Sequence, residues 1–337
     1  MGLPLVTNIP PAGGAPWDWY RTIRGMAEFQ REQAIDVVNV FRSQDYAFHV
    51  LANRLAGRRA VLVRTRGTDR AIRGGWLNQK LHRDWCDGHI ASAEIVKHRM
   101  ISALALPPES IRVIYYPTDS QAHAGGAQKR ADQKALHREL ELPPGSLVLG
   151  IVGRLYPEKG HVVLLRAMVQ LTAAHPELVL VILAKNAPGE DPERPVLEAM
   201  VKEMGLAKRV RFLNFREDVR RLMAGMDIGV IPSLSSEVNC RVAVEFFSVG
   251  TPVVAFPTGA LPEVVEHGLS GLVTPDHAPE SLAQALASLA GDQALRERLG
   301  EGALHAVQSR FTRKAFLADT LAAYEAARLV KAPFRQG

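Results

Sequence analysis

The sequence predicts an α/β protein of two doubly wound domains, each a parallel sheet with helices on both faces. The chain has 337 residues, a length typical of two domains of roughly 100–200 residues each. From residue 147 onward, short apolar runs rich in β-branched residues alternate with helix-length segments, which is the pattern of a buried parallel sheet. The composition, 47% hydrophobic and 23% charged, excludes a disordered chain, a collagen-like chain and a disulfide-stapled miniprotein.

Strands are predicted where a short apolar run is bounded by turn residues. In the second half of the chain, the predicted strands are 147–152, 178–183, 210–213, 228–231, 252–255 and 271–273. Apolar residues spaced by three and four positions predict helices between them, at 162–171, 196–204 and 242–248. Ligands of such sheets bind beyond the carboxyl ends of the strands, so site residues are expected just after strands.

The first 119 residues repeat this alternation less regularly. Strands are predicted at 5–9, 36–41, 60–64, 88–91 and 111–115, and helices around 19–33 and 47–55. Residues 120–146 contain Gly125-Gly126 and, near their end, Pro143-Pro144-Gly145, which is a strong turn signal. We therefore predict a first domain over 1–119, a linker over 120–146, a second domain over 147–312 and a C-terminal helix over 313–330.

The charge distribution favours an anionic partner. The formal net charge is +6, and seven arginines lie between Arg54 and Arg73 with Asp69 as the one acid among them. Such a face attracts phosphates, acidic glycans, anionic lipid or nucleic acid, although a solvated arginine-rich surface is an equal alternative.

Cysteine content and hydropathy predict a cytoplasmic protein. Two cysteines, Cys86 and Cys240, cannot build a disulfide framework or a four-cysteine zinc site. Apolar runs are strand-sized, well short of the roughly 20 residues that cross a bilayer, and no secretory signal opens the chain. These features are also compatible with peripheral membrane contact.

A cationic turn follows the strand at 147–152. The sequence from Gly150 to Gly160 places Arg154 and Lys159 in a loop before a predicted helix. Helix N-termini carry free N–H groups and partial positive charge, so two added cations suit a diphosphate. The motif is neither a P-loop nor Gly-x-Gly-x-x-Gly, and a loop with solvated cations is the alternative.

An acidic pair follows the strand at 228–231. Glu237 lies in the loop and Glu245 inside the next helix, for which Asn239 is predicted as the N-cap. Both carboxylates can accept hydrogen bonds from sugar hydroxyls, and N–H groups near 239–241 can meet a phosphate. Arg241 opposes the helix dipole, which a bound anion would help to explain. The alternative is an ordinary loop–helix junction; for the next turn, 252–263, a structural role is favoured.

These motifs together resemble a known family. Gly153-Arg154 with Lys159-Gly160, the stretch 227–233, Glu237-x7-Glu245, and the stretches 250–255 and 268–271 recur in this order, each at a strand-to-helix junction. The ordered set resembles the donor-binding domain of glycosyltransferase family 4, retaining nucleotide-sugar enzymes, over about 147–310 and more weakly over 1–119. The resemblance implies the GT-B fold: two Rossmann-like domains facing a cleft, the first on the acceptor side and the second binding the donor.

The resemblance also implies roles for individual residues. Gly153, Arg154 and Lys159 would bind the donor diphosphate, Glu237 the sugar hydroxyls and Glu245 the ribose. The backbone around Phe215 and Arg216 would lie against the base. The remaining implied donor contacts are Val238, Asn239, Cys240 and Arg241, of which the first three stand where the family has a Gly-Phe-Gly-like stretch. Arg154, Lys159 and Glu237 would act in catalysis.

The implied activity is transfer of a hexosyl group from a nucleoside-diphosphate sugar, with UDP expected, to a hydroxyl of a glycan or lipid-linked glycan. No cofactor or metal is expected, and no Asp-x-Asp sequence occurs. Such an enzyme would serve cell-envelope glycan or glycolipid synthesis. Oligomeric state is left open.

The first domain departs from the family. Its initial strand and Gly-rich loop are not recognisable, so a shortened domain is expected, and Asn39 stands where a catalytic His often follows the strand. Arg66 and Asp69 follow the next strand and are the acceptor-side candidates, with a salt-bridged structural loop as the alternative. His82 is expected to be structural.

Two other functions are weighed. A nucleotide-sugar-binding protein without catalysis is favoured by the missing His and the missing first unit. A nucleic-acid binder is suggested by the arginines, but no known motif supports it and aromatic residues make up 6% of the chain. We therefore expect no nucleic-acid partner.

Overall fold

The computed structural model describes residues 15–58, 60–68, 70–118, 125–184 and 191–331. By the contacts between their Cα atoms, the residues divide into two compact units. Unit 1 comprises residues 1–115 and 316–337, and unit 2 comprises residues 116–315. The strand predicted at 5–9 lies outside the described residues.

Unit 1 contains a four-stranded parallel sheet in the order β1-β2-β3-β4. Its elements in chain order are α1 (Pro16–Glu32), β1 (Val37–Val40), α2 (Tyr46–Leu55), β2 (Val61–Arg66), α3 (Trp76–Arg83), β3 (Gly88–Ala91), α4 (Glu94–Leu104) and β4 (Ile111–Val113). All six residues of β2 are buried, as expected of an inner strand of a parallel sheet, but the last three are Arg64, Thr65 and Arg66.

Unit 2 contains a six-stranded parallel sheet in the order β10-β9-β8-β5-β6-β7. Its elements in chain order are α5 (Gly125–Glu139), β5 (Leu147–Gly153), α6 (His161–Leu171), β6 (Leu178–Ala184), α7 (Glu193–Glu203), β7 (Val210–Leu213), α8 (Val219–Gly225), β8 (Ile228–Ile231), α9 (Arg241–Ser248), β9 (Val253–Ala255), α10 (Leu261–Val264), β10 (Gly271–Val273), α11 (Pro279–Gly291) and α12 (Gln293–Arg310). The fold class predicted from the alternating pattern is confirmed in both units.

The core of unit 2 lies where α6 and α11 pack against the sheet. Leu149 and Leu180 on neighbouring strands are fully buried, as are Leu164 on α6 and Leu286 on α11. Burying one such side chain stabilises a fold by about 1.5–3 kcal/mol. This core holds the loops at the carboxyl ends of the strands.

The segment predicted as a linker contains helix α5, which packs against α8 in unit 2. Leu136 is fully buried beside Gly225, and Gln133 Nε2 donates to Asp227 Oδ1 at 2.8 Å. This packing could not be predicted from the polar composition of α5, because Leu136 is its one buried apolar side chain among the described residues. Pro143-Pro144-Gly145 therefore marks the turn between α5 and β5.

The C-terminal helix α13 (Arg313–Lys331) is a single helix, and from residue 316 onward it belongs to unit 1. Ala323 and Ala327 pack on Val61, Val63 and Ile90 of the unit 1 sheet. Helix α13 and strand β3 approach each other closely because the residues in contact are small. A Cβ at Gly88 would collide with Ala327. Unit 1 is thus completed by residues from both ends of the sequence.

Candidate functional site

The topological switch point of the unit 2 sheet lies between β5 and β8. The chain proceeds from β5 outward through β6 and β7, then returns to place β8 on the other side of β5. Loops that leave adjacent strands at such a point diverge and leave a crevice, which is where open α/β sheets bind ligands. The two predicted donor motifs are the loops that follow β5 and β8.

The β5 loop ends in Gly160, which has φ +74° and is the N-cap of α6. A Cβ at this position would collide with the carbonyl group of Pro232, the first residue after β8. The loops are also joined by a hydrogen bond from Leu234 N to Glu158 O at 2.8 Å. Only glycine allows both this left-handed turn and this close approach.

The carboxylate of Glu237 is the meeting point of the two loops. Lys159 Nζ donates a hydrogen bond to Glu237 Oε1, and Ser233 Oγ donates to the same oxygen at 2.8 Å. The Glu237 side chain is 14% exposed and that of Lys159 is 32% exposed. The structure thus brings together the cation and the first carboxylate that the sequence assigned to one site.

A third loop, between β9 and α10, fixes the backbone of Glu237. Ala260 N donates to Glu237 O at 2.6 Å, and Gly259 packs against the same peptide with φ +59°. Thr258 Oγ1 donates to Ser233 O and lies 2.8 Å from His277 Nε2. Sequence reasoning gave this loop a structural role and did not identify Ser233 or Thr258 as supports, because their contacts join separate loops.

The residues after Glu237 form a tight turn into α9. Val238 and Cys240 have buried side chains, so they would offer a ligand their backbone. The prediction of Asn239 as the N-cap is wrong: Cys240 is the N-cap, in the left-handed region with φ +45°, and it makes no side-chain capping bond. The Cys240 side chain is only 2% exposed, so the turn places its thiol in the interior. Asn239 Oδ1 is buried and, within the described residues, has no hydrogen-bond partner.

The remaining charged residues of the two motifs are more exposed. Arg154 is exposed, with its guanidinium 5.7 Å from the ring centroid of Tyr156. Glu245 is 39% exposed, and Arg241 NH2 lies 3.8 Å from its Oε1 on the same face of α9. This i,i+4 pair gives Arg241 a partner without a bound anion, so the dipole argument does not by itself require a ligand.

Phe215 and Arg216 lie in the loop after β7. The Phe215 ring is exposed, whereas Arg216 forms ion pairs with Glu139 and Asp218, and Arg221 pairs with the same two acids. The Arg216 hydrogen bonds to Asp218 lower the pKa of that carboxyl. The guanidinium of Arg216 is therefore engaged within the protein, whereas the Phe215 ring is exposed to solvent.

The acceptor-side candidates lie in unit 1. Arg66, at the end of β2, is buried and donates to the carbonyl of Arg70, while Asp69 lies outside the described residues. Asn39 donates to the hydroxyl of Tyr324 at 2.8 Å and accepts from Thr65 Oγ1 at 2.7 Å. Asn39 thus ties β1 to β2 and to α13.

His82 is buried, as its structural interpretation expects. Its ring stacks on Tyr46, and its Nδ1 lies 3.2 Å from His89 Nε2. Burial and the neighbouring positive charges lower the pKa of His82 to about 3. In the parts of the chain that the structure describes, no three His, Cys, Asp or Glu residues cluster as metal ligands, and no helix is long and apolar enough to span a membrane.

Comparison with sequences of known proteins agrees with these motifs. The family described as glycosyl transferases group 1 matches residues 132–305. A D-inositol 3-phosphate glycosyltransferase of Corynebacterium kroppenstedtii is 34% identical over 234 residues, which cover 68% of this chain and 51% of that protein. The protein with the same name from Stackebrandtia nassauensis is 38% identical over 201 residues, covering 57% and 44%. The chain spans about half the length of these relatives.

Solved structures agree with the fold. A glycosyltransferase from Rickettsia africae superposes with a TM-score of 0.81 at 17% identity, covering 94% of this chain and 83% of that one. Anabaena HepE, solved in complex with UDP, gives a TM-score of 0.77 at 24% identity, covering 89% and 82%. These likenesses show that the fold is GT-B. The sequence match over more than half of the chain, joined to this fold, shows that the chain belongs to the group 1 glycosyltransferases.

Proposed function

We propose that the chain is a retaining glycosyltransferase that moves a sugar from a nucleoside-diphosphate sugar to an acceptor hydroxyl, in cell-envelope glycan or glycolipid synthesis. The observation that carries the proposal is the contact of Lys159 and Ser233 with the Glu237 carboxylate at the switch point of the unit 2 sheet. The names of the sequence relatives support transfer of a glycosyl group, and the UDP in Anabaena HepE supports UDP as the nucleotide.

The donor would be held by complementary charges. Arg154 and Lys159 would neutralise the diphosphate, and the glycine backbone at Gly153 leaves room for its approach. Glu237 would accept hydrogen bonds from sugar hydroxyls, and Glu245 from the ribose. Without donor, Lys159 and Glu237 satisfy each other, so donor binding replaces one charge-assisted contact with others of the same kind.

Catalysis would come from stabilising the departing diphosphate. Bond cleavage at the anomeric carbon places negative charge on the leaving phosphate, and fixed cations stabilise that charge more than they stabilise the substrate. Retention of configuration fits attack from the face of the leaving group, and we assign no enzyme nucleophile. No metal or cofactor is required in this scheme.

A donor screen combined with a transfer assay tests the proposal. Thermal-shift measurements with UDP-, GDP-, ADP- and CMP-sugars should identify one nucleotide that raises the melting temperature, since ligands of the native state stabilise it. With that donor, Arg154→Ala and Glu237→Gln should abolish most transfer to a panel of glycan, lipid-linked glycan and inositol phosphate acceptors. Glu203→Gln, an exposed acid at the end of α7, is the matched control. Full transfer by the first two variants would refute the assigned roles.

A second function, donor binding without catalysis, is favoured by one observation. Asn39, at the position where a catalytic His is often found, donates a hydrogen bond to Tyr324 and accepts one from Thr65. If this function is correct, the donor screen succeeds but neither transfer nor hydrolysis of the donor occurs with any acceptor.

Peripheral membrane contact forms part of the proposal. The first turn of α1 exposes Trp17 and Tyr20, whose rings stack at 5.4 Å, beside exposed Arg21. Aromatic and basic side chains together favour an anionic membrane surface. Co-sedimentation with phosphatidylglycerol vesicles should occur and should weaken when Trp17 and Tyr20 are changed to serine. Absence of co-sedimentation would remove this part of the proposal.

A further inference from the structure

Unit 1 contains a cavity of about 640 Å³ at the carboxyl end of β2. This volume lies within the range of small-molecule sites, about 300–1,000 Å³. The described residues that line it include no aspartate and no glutamate. Its polar lining includes Ser43, Arg64, Arg66, Arg73, Asn78 and His82.

Arg64 places a buried positive charge on the cavity wall. The residue is 2% exposed. Its guanidinium donates to Val40 O at 2.6 Å and Thr65 O at 2.9 Å, and to Ser43 Oγ at 2.8 Å. All three acceptors are neutral oxygens, so among the described residues no carboxylate balances this charge. A buried charge without a counter-charge is costly, and proteins rarely retain one unless a partner or ligand neutralises it.

A second arginine adds positive charge to the cavity wall. Arg66, two residues further along β2, is 7% exposed and also lines the cavity. Burial and the charge of Arg66 lower the pKa of Arg64. An anion in the cavity would reduce the repulsion between the two guanidinium groups.

The positive charge of the arginines also lowers the pKa values of two neighbouring histidines. His82 forms part of the cavity wall, and both Arg64 and Arg66 contribute to lowering its pKa. His89 behind it has a pKa of about 4, lowered by burial and by Arg64. Both rings therefore stay neutral at pH 7, and the arginines supply the positive charge that a ligand would meet.

We propose that this cavity is an anion site that binds a phosphate group, with Arg64 and Arg66 as its cations and Ser43 at its edge. Arginine is the side chain suited to it, because the planar guanidinium presents paired donors to phosphate oxygens. Given the proposed function, the phosphate belongs to the acceptor, so the cavity selects acceptors that carry this group.

Phosphate binding by the full chain tests the proposal. The probes are inorganic phosphate, glucose 6-phosphate with glucose as its uncharged counterpart, and vesicles containing phosphatidic acid, measured by calorimetry or, for vesicles, by co-sedimentation. UDP is kept at saturation so that the donor loop does not contribute. We expect at least one phosphate probe to bind and glucose to fail. The probe that binds most tightly distinguishes free phosphate, a soluble phosphate ester and a lipid headgroup.

Variants assign the binding to the cavity. Arg66→Gln should raise the dissociation constant at least tenfold, while Arg112→Gln, an exposed arginine on β4, should leave it unchanged. Arg64→Lys, which keeps the charge but not the paired donors, should also weaken binding; if it fails to fold by circular dichroism, Arg66→Gln decides. Arg154→Ala should retain phosphate binding, which separates this site from the proposed donor site.

Two results would overturn the proposal. One is that no phosphate probe binds to the unaltered protein. The other is that binding is unchanged in Arg66→Gln.

Discussion

Lys159 donates a hydrogen bond to the carboxylate of Glu237, which lies 78 residues further along the chain. Ser233 donates to the same oxygen at 2.8 Å, and Ala260 N holds the Glu237 carbonyl at 2.6 Å. Residues from three loops thus hold one carboxylate beside one ammonium group at the switch point of the sheet. This arrangement keeps both charges in place before a ligand arrives, which limits the reorganisation that binding requires.

Lys159→Ala should lower kcat/KM for sugar transfer by about 10²–10³, the effect of removing one fixed donor from a developing negative charge. The donor dissociation constant should rise less, since the charge on the leaving diphosphate grows in the transition state. Steady-state kinetics with the donor identified by the screen would measure both quantities.

Lys202→Ala is the matched control, because Lys202 lies exposed in the last turn of α7, and it should leave kcat/KM unchanged. A Lys159→Ala enzyme with more than half of the original kcat/KM would contradict a role in stabilising the leaving group.

Gly160→Ala should destabilise unit 2 much more than Gly205→Ala does. Both glycines have left-handed backbones, with φ +74° and φ +71°, but a Cβ at Gly160 meets the Pro232 carbonyl whereas nothing lies within 4 Å of one at Gly205. Backbone strain alone costs about 1–2 kcal/mol, so Gly205→Ala should lose about that amount and Gly160→Ala on the order of 3 kcal/mol or more. Urea denaturation measures the difference, and equal losses would show that the loops separate readily.

Asn239→Ala should weaken donor binding by about tenfold while leaving the melting temperature without donor nearly unchanged. Asn239 Oδ1 is buried without a hydrogen-bond partner among the described residues. Removing this oxygen therefore breaks no hydrogen bond to the described part of the protein. An unsatisfied buried acceptor next to Glu237 is suited to a ligand donor group, whose loss costs about 1–1.5 kcal/mol. Calorimetry with donor and a thermal scan without it test the two parts; a large drop in melting temperature would indicate a structural role instead.

The strands of unit 2 could be predicted from sequence because their signal is local. The predicted strands at 210–213, 228–231 and 271–273 coincide with β7, β8 and β10, since each is an apolar run between turn residues. The helix at 125–139 could not be predicted in this way, because Leu136 is its one buried apolar side chain among the described residues, and that side chain is covered only by packing in the folded unit.

The site was predictable in part. The order of the motifs placed Lys159 and Glu237 after strands that topology makes neighbours, and the structure joins them. Ser233 and Thr258 support that pair through contacts between loops, which no spacing in the sequence indicates. Arg64 and Arg66 belong to an arginine-rich stretch that equally fits a solvated surface, yet β2 carries both into the interior, and only tertiary structure shows that burial.

The stability of the folded chain should fall as the pH is lowered from 7 towards 5. Burial lowers the pKa of His82 to about 3, and those of His89 and His161 to about 4, whereas in the unfolded chain each has its ordinary value near 6.5. Between these values the unfolded chain binds more protons than the native one, so acidification favours unfolding. Each of these histidines contributes up to about 1.4 kcal/mol per pH unit below 6.5, and stability is fully restored above about pH 7. Urea denaturation at pH 7, 6 and 5 measures the slope, which His89→Asn should reduce and His98→Asn, an exposed histidine on α4, should not. A free energy of unfolding that stays constant over this range would mean that the three rings accept protons in the native state.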